Sequence, residues 1–214
     1  MKLKWLGHAS FKISNKKIIY FDPYKIKEGE KADIILISHS HFDHCSIEDI
    51  KKIRDENTKI FTTQECASKL NGISMKPGDV KEVDEIVIKA VEAYNIDKFR
   101  QGNELFHPKG LGIGFLVEIN NKKIYFAGDT DNITEMNSIE ADIALLPVGG
   151  TYTMNAKEAA EAAIKINPKI VIPMHYGIIV GSKEDALDFK KLVEAKSDIN
   201  AVVLEESKCF EIAV

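Results

Sequence analysis

Two stretches of this chain, FKISNKKIIYFDP (Phe11 to Pro23) and GFLVEINNKKIYFAGDT (Gly114 to Thr130), follow one plan. Each offers two apolar strands joined by an Asn-Lys turn and closes on an aspartate, Asp22 or Asp129. Each is followed by a hydrophobic run that opens Ala-Asp-Ile, ADIILISHSH from Ala32 and ADIALLPVGG from Ala141. A helical pattern and a further strand come next, KIFTT from Lys59 and KIVIPMHYG from Lys169. Self-similarity of this kind restricts the fold more than any local propensity. It predicts two β-rich halves related by a pseudo-twofold, with polar residues at corresponding strand ends.

The runs DIILIS, DIALLPV and KIVIPM are continuously apolar, as strands buried on both faces must be. Helices are expected at Ser46–Asp55, Gln64–Leu70, Ala156–Ile166 and Lys183–Glu194. The third has Asn155 as its N-cap, an Ala-rich interior and Asn167-Pro168 as its stop. Strands alternating with helices, together with hairpins, indicate sheets covered by helices, a layered α/β (α+β) architecture. The segment Ile96–Gly110 has no apolar period and reads as a long loop, a place where function often sits.

A length of 214 residues suits a single domain over 1–214, and 44% hydrophobic with 29% charged residues describes a globular chain. The start, MKLKWLGHASFKIS, is interrupted by Lys and His and has no signal-peptide pattern, and no segment approaches a membrane span. A cytoplasmic location follows as the expectation. Three scattered cysteines form no CxxC pair, so neither a disulfide framework nor a zinc ribbon is indicated, and Cys45 is expected to be a small buried residue. A net charge of −4 without a basic run speaks against nucleic acid as a partner.

The chemistry concentrates in SHSHFDHCS, directly after a buried strand. His39 and His41 are two apart, so on an extended chain they project to one side. Asp43 and His44 follow where the chain turns into the helix near Ser46. Imidazoles and a carboxylate converging at a strand end suit zinc or a similar divalent ion. One ion cannot take all four and stay open to substrate, whereas two can, His39 and His41 on one, Asp43 and His44 on the other. Asp129, at the end of a buried strand, could offer an oxygen to each ion. His175 ends another buried strand, and His107 sits on the long loop.

At this point the sequence resembles the metallo-β-lactamase-fold hydrolases. HSHFDH matches their HxHxDH motif, GDT and PMHYG follow in the expected order, and Asp22 in FDP matches their early aspartate. WLGHASFKI, FHPKG and LPVGGTYTMN look closer to the small metal-dependent hydrolases grouped with ascorbate-6-phosphate lactonase. The resemblance implies a four-layer αββα sandwich with a metal pair at one edge between the sheets. It implies one metal site of His39, His41, a third histidine and Asp129, and a second of Asp43, His44, Asp129 and His175. In many relatives the third histidine directly follows the strand that here reads VIKAVEAYN, where this chain has Tyr94-Asn95. His107 is the choice for that role, with His8 in reserve. Asp22 is expected to orient a ligand histidine through its distal ring nitrogen.

These readings converge on a metal-dependent hydrolase with two divalent ions, zinc foremost and manganese or iron as alternatives. A hydroxide between the ions would attack a small ester, lactone or phosphoester, with Asp43 and Asp129 as the catalytic carboxylates. Lys109 is the expected anion-attracting residue of the loop, His8 a hydrogen-bonding partner in the site, and Arg100 an ordinary solvated cation. Gly149-Gly150, with Thr151 and Thr153, is expected to form a pocket wall. The alternatives are a phosphodiesterase or nuclease on the same ions, or a di-iron oxidoreductase. The partner is then a small molecule, and a homo-oligomer is compatible with the sequence.

Overall fold

The computed structural model describes residues 1–213. The first half comprises β1 (Lys2–Gly7), β2 (Ser10–Ser14), β3 (Ile18–Phe21), β4 (Ile34–Ile37), α1 (Ile47–Ile53), β5 (Lys59–Thr62), α2 (Gln64–Leu70) and β6 (Ile73–Ser74). The second comprises β7 (Val80–Val83), β8 (Ile86–Ala93), β9 (Gly112–Ile119), β10 (Lys122–Phe126), β11 (Ile143–Pro147), α3 (Ala156–Ile166), β12 (Ile170–Met174), α4 (Lys183–Glu194) and β13 (Asn200–Ala201). A last strand, β14 (Cys209–Glu211), returns to the first sheet.

Two mixed sheets result, ordered β14-β1-β2-β3-β4-β5-β6 and β13-β12-β11-β10-β9-β8-β7. The pairing repeats strand for strand. β2 with β3 and β9 with β10 are antiparallel hairpins, while β3-β4-β5-β6 and β10-β11-β12-β13 run parallel. The repeated Ala-Asp-Ile makes the same joint in both halves. Asp33 accepts from the Ile18 amide at 2.8 Å, and Asp142 accepts from the Lys123 amide at 3.0 Å. The Asp33 amide in turn donates to the Ile18 carbonyl at 2.9 Å, and the Asp142 amide to the Lys123 carbonyl at 2.8 Å. A short polar side chain here satisfies the backbone where the parallel strand enters the sheet.

Period-two alternation sorts the strands between layers. In β4, Ile34 and Leu36 join the large core between the sheets, while Ile35 and Ile37 join a second core beneath α1 and α2. Phe21 and Phe126, equivalent positions in the two hairpins, meet in the central core at a ring separation of 5.1 Å. The alanines of α3 and Phe189 of α4 close the central core from the other side. Helices thus cover the outer face of each sheet, giving the expected αββα order. Cys45 and Cys66 are buried in the core under α1 and α2, as expected for Cys45.

Helix ends follow their capping chemistry. Asn155 and Ser182 each close a capping box, and Asn71 and Asn167 end α2 and α3 in the left-handed region that Asn tolerates. Helix α1 is shorter than expected: Ser46 is its cap, and Arg54 has already returned to extended backbone. The long loop is not structureless. Phe99 bridges to Leu105, and the Asn95 amide donates to the His107 carbonyl at 2.7 Å, so the segment folds back as a narrow excursion.

Candidate metal centre

Strand ends of both halves meet at one edge of the sandwich. From the first half come Asp22 after β3 and the turn Ser38 to Cys45 after β4, with His8 between β1 and β2. From the second come Asp129 after β10, His175 after β12 and His107 from the excursion between β8 and β9. His8, Asp22 and His175 all have positive φ, at 51°, 39° and 59°. Non-glycine residues rarely adopt that region, and such outliers concentrate at functional sites. The strained corners are tied to each other, since the His175 amide donates to the His8 carbonyl at 2.9 Å and the Trp5 indole to the same carbonyl at 2.8 Å.

The histidines and carboxylates fall into two adjoining clusters. In the first, His41 Nδ1 lies 3.0 Å from His39 Nε2 and 3.1 Å from His107 Nε2. In the second, His8, Asp43, His44 and His175 bring their donor atoms within 4.8 Å of one another. Asp129 stands between them. Its Oδ1 is 3.4 Å from His44 Nε2, and its Oδ2 is 3.1 Å from His175 Nε2 and 3.2 Å from His107 Nε2. His8 is therefore placed beside Asp43, at 2.9 Å, and not with His39 and His41.

The distal ring atoms are fixed by the layer behind. His44 Nδ1 faces Asp22 Oδ2 at 2.7 Å, and Asp22 also accepts from the Ser38 amide at 2.7 Å and the Ser38 hydroxyl at 2.5 Å. His107 Nδ1 faces Asn95 Oδ1 at 2.9 Å, which also accepts from the His107 amide at 2.8 Å. Asn95 is anchored in turn, donating to Asp131 at 3.1 Å and to the Tyr152 carbonyl at 2.9 Å. With Nδ1 of His44 and of His107 donating outward, each Nε2 turns a lone pair inward. Sequence reasoning missed Asn95, Ser38 and Asp131, because their partners are remote in the chain.

Burial governs the electrostatics. It pushes His39 well below the ordinary histidine pKa and lowers His41, and it brings His8 and His107 down to about 4. Burial would raise Asp43, but the adjoining imidazoles of His44 and His8 hold it far below the usual range. Asp129 is likewise pushed up by burial and pulled well down by the charges of His175, His44 and His107. Several buried atoms make no hydrogen bond: His44 Nε2, His175 Nε2 and Asp129 Oδ1. Orphaned lone pairs at such depth are costly unless something cationic accepts them. The nitrogens of His39, His41 and His107, two of whose spacings are about 3 Å and all of which lie within 4.8 Å, also match nitrogens sharing one tetrahedral ion, since bonds of about 2.0–2.1 Å put them roughly 3.3 Å from one another. The donor set fits divalent cations.

A cavity of about 300 Å³ opens onto the cluster, walled by Phe42, Phe106, Tyr152 and Ile179 alongside His41, Asp43 and Asp129. Two expectations are corrected here. Lys109 does not reach the cavity, because Glu135 at 2.9 Å and Glu92 at 3.4 Å hold its ammonium over the Tyr94 ring. Arg100 is no solvated bystander: it lines the cavity, 3.3 Å from His41 Nε2, while donating to the Phe106 carbonyl at 3.1 Å. Gly149 serves the protein's own backbone, since a Cβ there would stand 2.4 Å from the His175 carbonyl. Its neighbour Tyr152, rather than Gly149 or Gly150, supplies the wall.

Comparison with known proteins bears on this geometry. Residues 2–175 match a family model described as a β-lactamase superfamily domain. A metal-dependent hydrolase of Nanoarchaeum equitans is 34% identical, covering 99% of this chain and all of its own. A crystal structure from Parabacteroides distasonis superposes with a TM-score of 0.86 at 32% identity, over 96% of this chain and 93% of that one. A metallo hydrolase from Ignicoccus hospitalis superposes with a TM-score of 0.81 at 27% identity, over 99% of both chains.

Proposed function

The chain belongs to the β-lactamase superfamily, among proteins named metal-dependent hydrolases, and on that premise we propose that one domain over 1–214 hydrolyses a small ester, lactone or phosphoester with two divalent ions. The observation that carries this is the set of orphaned donors, His44 Nε2, His175 Nε2 and Asp129 Oδ1, buried at the foot of an open cavity. His39, His41 and His107 would hold one ion and His44, Asp43 and His175 the other, with an oxygen of Asp129 for each. Ions bound there, zinc foremost, supply water activation near neutral pH and polarisation of the electrophile's oxygen.

The chain's own residues do the rest. Asp22 and Asn95 keep His44 and His107 in the tautomer whose Nε2 is free. The apolar wall of Phe42, Phe106 and Ile179 excludes bulk water and accommodates the uncharged part of a substrate. Asp43 lines the cavity and is held in place by the His8 ring at 2.9 Å. A cavity of about 300 Å³ suits a small molecule better than a polymer, which with the negative net charge disfavours a nuclease.

Elemental analysis of the purified protein is expected to find close to two zinc or manganese ions per chain. A screen of chromogenic lactones, carboxylic esters and phosphodiesters should then find at least one substrate hydrolysed by the wild type and not by Asp129→Ala. Equal rates for the two proteins on every substrate would refute the assigned centre. Two iron ions with a visible charge-transfer band would instead point to redox chemistry.

A further inference from the structure

The excursion between β8 and β9 carries three cations, and they are treated differently. Lys98 contacts Asp97, Glu158 and Asp131, and Lys109 contacts Glu135 and Glu92. Arg100 has no carboxylate partner among the described residues. Its guanidinium lies over the Phe106 ring, 5.5 Å from the centroid, and one Nη donates to the Phe106 carbonyl. This fixes a planar cation at the cavity wall with its remaining N–H groups unspent. Among the described residues lining the cavity, Arg100 alone bears a permanent positive charge.

The neighbour of Arg100 sharpens the point. His41 turns Nδ1 toward His39 and His107, so a lone pair presented there leaves the proton on Nε2. Nε2 is the atom 3.3 Å from Arg100 Nη2. With an ion on Nδ1 this contact sets two donors face to face, an arrangement that an oxygen seated between them would satisfy. Phe42, which is 67% exposed, and Ile179 stand around the same mouth as an apolar rim.

We infer that Arg100, together with the Nε2–H of His41, binds an anionic oxygen of the substrate, a carboxylate or phosphate set apart from the scissile bond, so that the enzyme selects small anionic substrates with an apolar flank. This rests on the hydrolase reading above. Arg100 here is a substrate-binding residue: it contributes affinity and leaves the chemical step to the ions' ligands.

The test uses metal-loaded wild type, Arg100→Gln and Arg100→Lys with two esters sharing one leaving group, 4-nitrophenyl acetate and mono-4-nitrophenyl succinate. Losing one charge-assisted contact should raise KM for the succinate ester about 10- to 100-fold in Arg100→Gln, with kcat changed far less and KM for the acetate shifted by much less than that for the succinate. Arg100→Lys should restore most of the affinity. Inhibition by free succinate and by inorganic phosphate separates carboxylate from phosphate recognition, and weakening of either in Arg100→Gln supports the site. Equal effects on the two esters, or inhibition unchanged in Arg100→Gln, would overturn the inference while leaving the hydrolase reading intact. Should wild type cleave neither ester, calorimetric titration of inorganic phosphate into the loaded proteins decides: tighter binding by wild type than by Arg100→Gln supports the site, and equal binding refutes it.

Discussion

Replacing Asp22 by Asn tests whether the layer behind the cluster sets its affinity for metal. Asp22 is fully buried and accepts three hydrogen bonds, at 2.7 Å and 2.5 Å from Ser38 and at 2.7 Å from His44 Nδ1. The carboxylate compels His44 to carry its proton on Nδ1 and leave Nε2 free. An Asn side chain nearly preserves the shape and can still accept from the Ser38 amide. Its NH₂ group, however, then faces His44 Nδ1 and favours the other tautomer, whose Nε2–H cannot bind a cation. Loss of such an orienting partner typically weakens metal binding 10- to 100-fold, or roughly 1.4–2.7 kcal/mol. Stability of the metal-free fold should fall by only about 1–2 kcal/mol, because burial already opposes the Asp22 charge. Zinc titration against a chromogenic chelator should show one of two ions weakened by that factor, with the other nearly unchanged. Nitrogen NMR shifts of His44 should report the tautomer directly. Two ions held at wild-type affinity in a folded Asp22→Asn protein would refute the reasoning.

Asn95→Leu should loosen His107 by removing the acceptor for both its ring and its amide, costing about 1–3 kcal/mol in a denaturant titration and weakening the ion shared with His39 and His41. Wild-type zinc affinity in that variant would show that His107 needs no clamp. Gly149→Ala should destabilise by more than about 2 kcal/mol and lower zinc affinity, since the new Cβ would stand 2.4 Å from the His175 carbonyl; an unchanged melting temperature would contradict this. The chelator-treated protein should lose stability between pH 7 and pH 5. His8 and His107, held down to about 4, stay neutral in the fold while the unfolded chain takes up protons below about 6.5. Each contributes at most about 3 kcal/mol above that pH, and the contribution disappears as pH falls from 6.5 toward 4. His39 and His41 act in the same sense, and among the histidines His44, raised by Asp129 and Asp22 against its burial, acts in the opposite one. A denaturation midpoint that rises on acidification would show the signs to be wrong.

What the sequence disclosed and what it concealed divide along the range of the interactions. Helices α2, α3 and α4 have the expected limits because caps and stops such as Asn155 and Asn167 are written beside them. The duplicated hairpins were legible because strand alternation and the Ala-Asp-Ile joint are local signals. His39, His41, Asp43 and His44 announced themselves by spacing within one turn. That Arg100 lines the cavity and Lys109 does not was hidden because nothing local reveals how the excursion folds back, or that Glu135 waits for Lys109 at a distance of twenty-six positions. Asn95 reads as an ordinary loop residue until His107 is brought against it by the Phe99–Leu105 bridge.

The repeated sheets have a consequence for how the molecule holds together. Each half supplies only part of the donor set, His8, His39, His41, Asp43 and His44 on one side and His107, Asp129 and His175 on the other. Any cation gripped by both sides acts as a rivet across the seam, so its binding free energy is also cohesion between the halves. Chain segments severed between β6 and β7 would then reassociate more tightly as a divalent cation such as zinc is raised, turning a metal requirement into a measure of how firmly the two matching halves clasp each other.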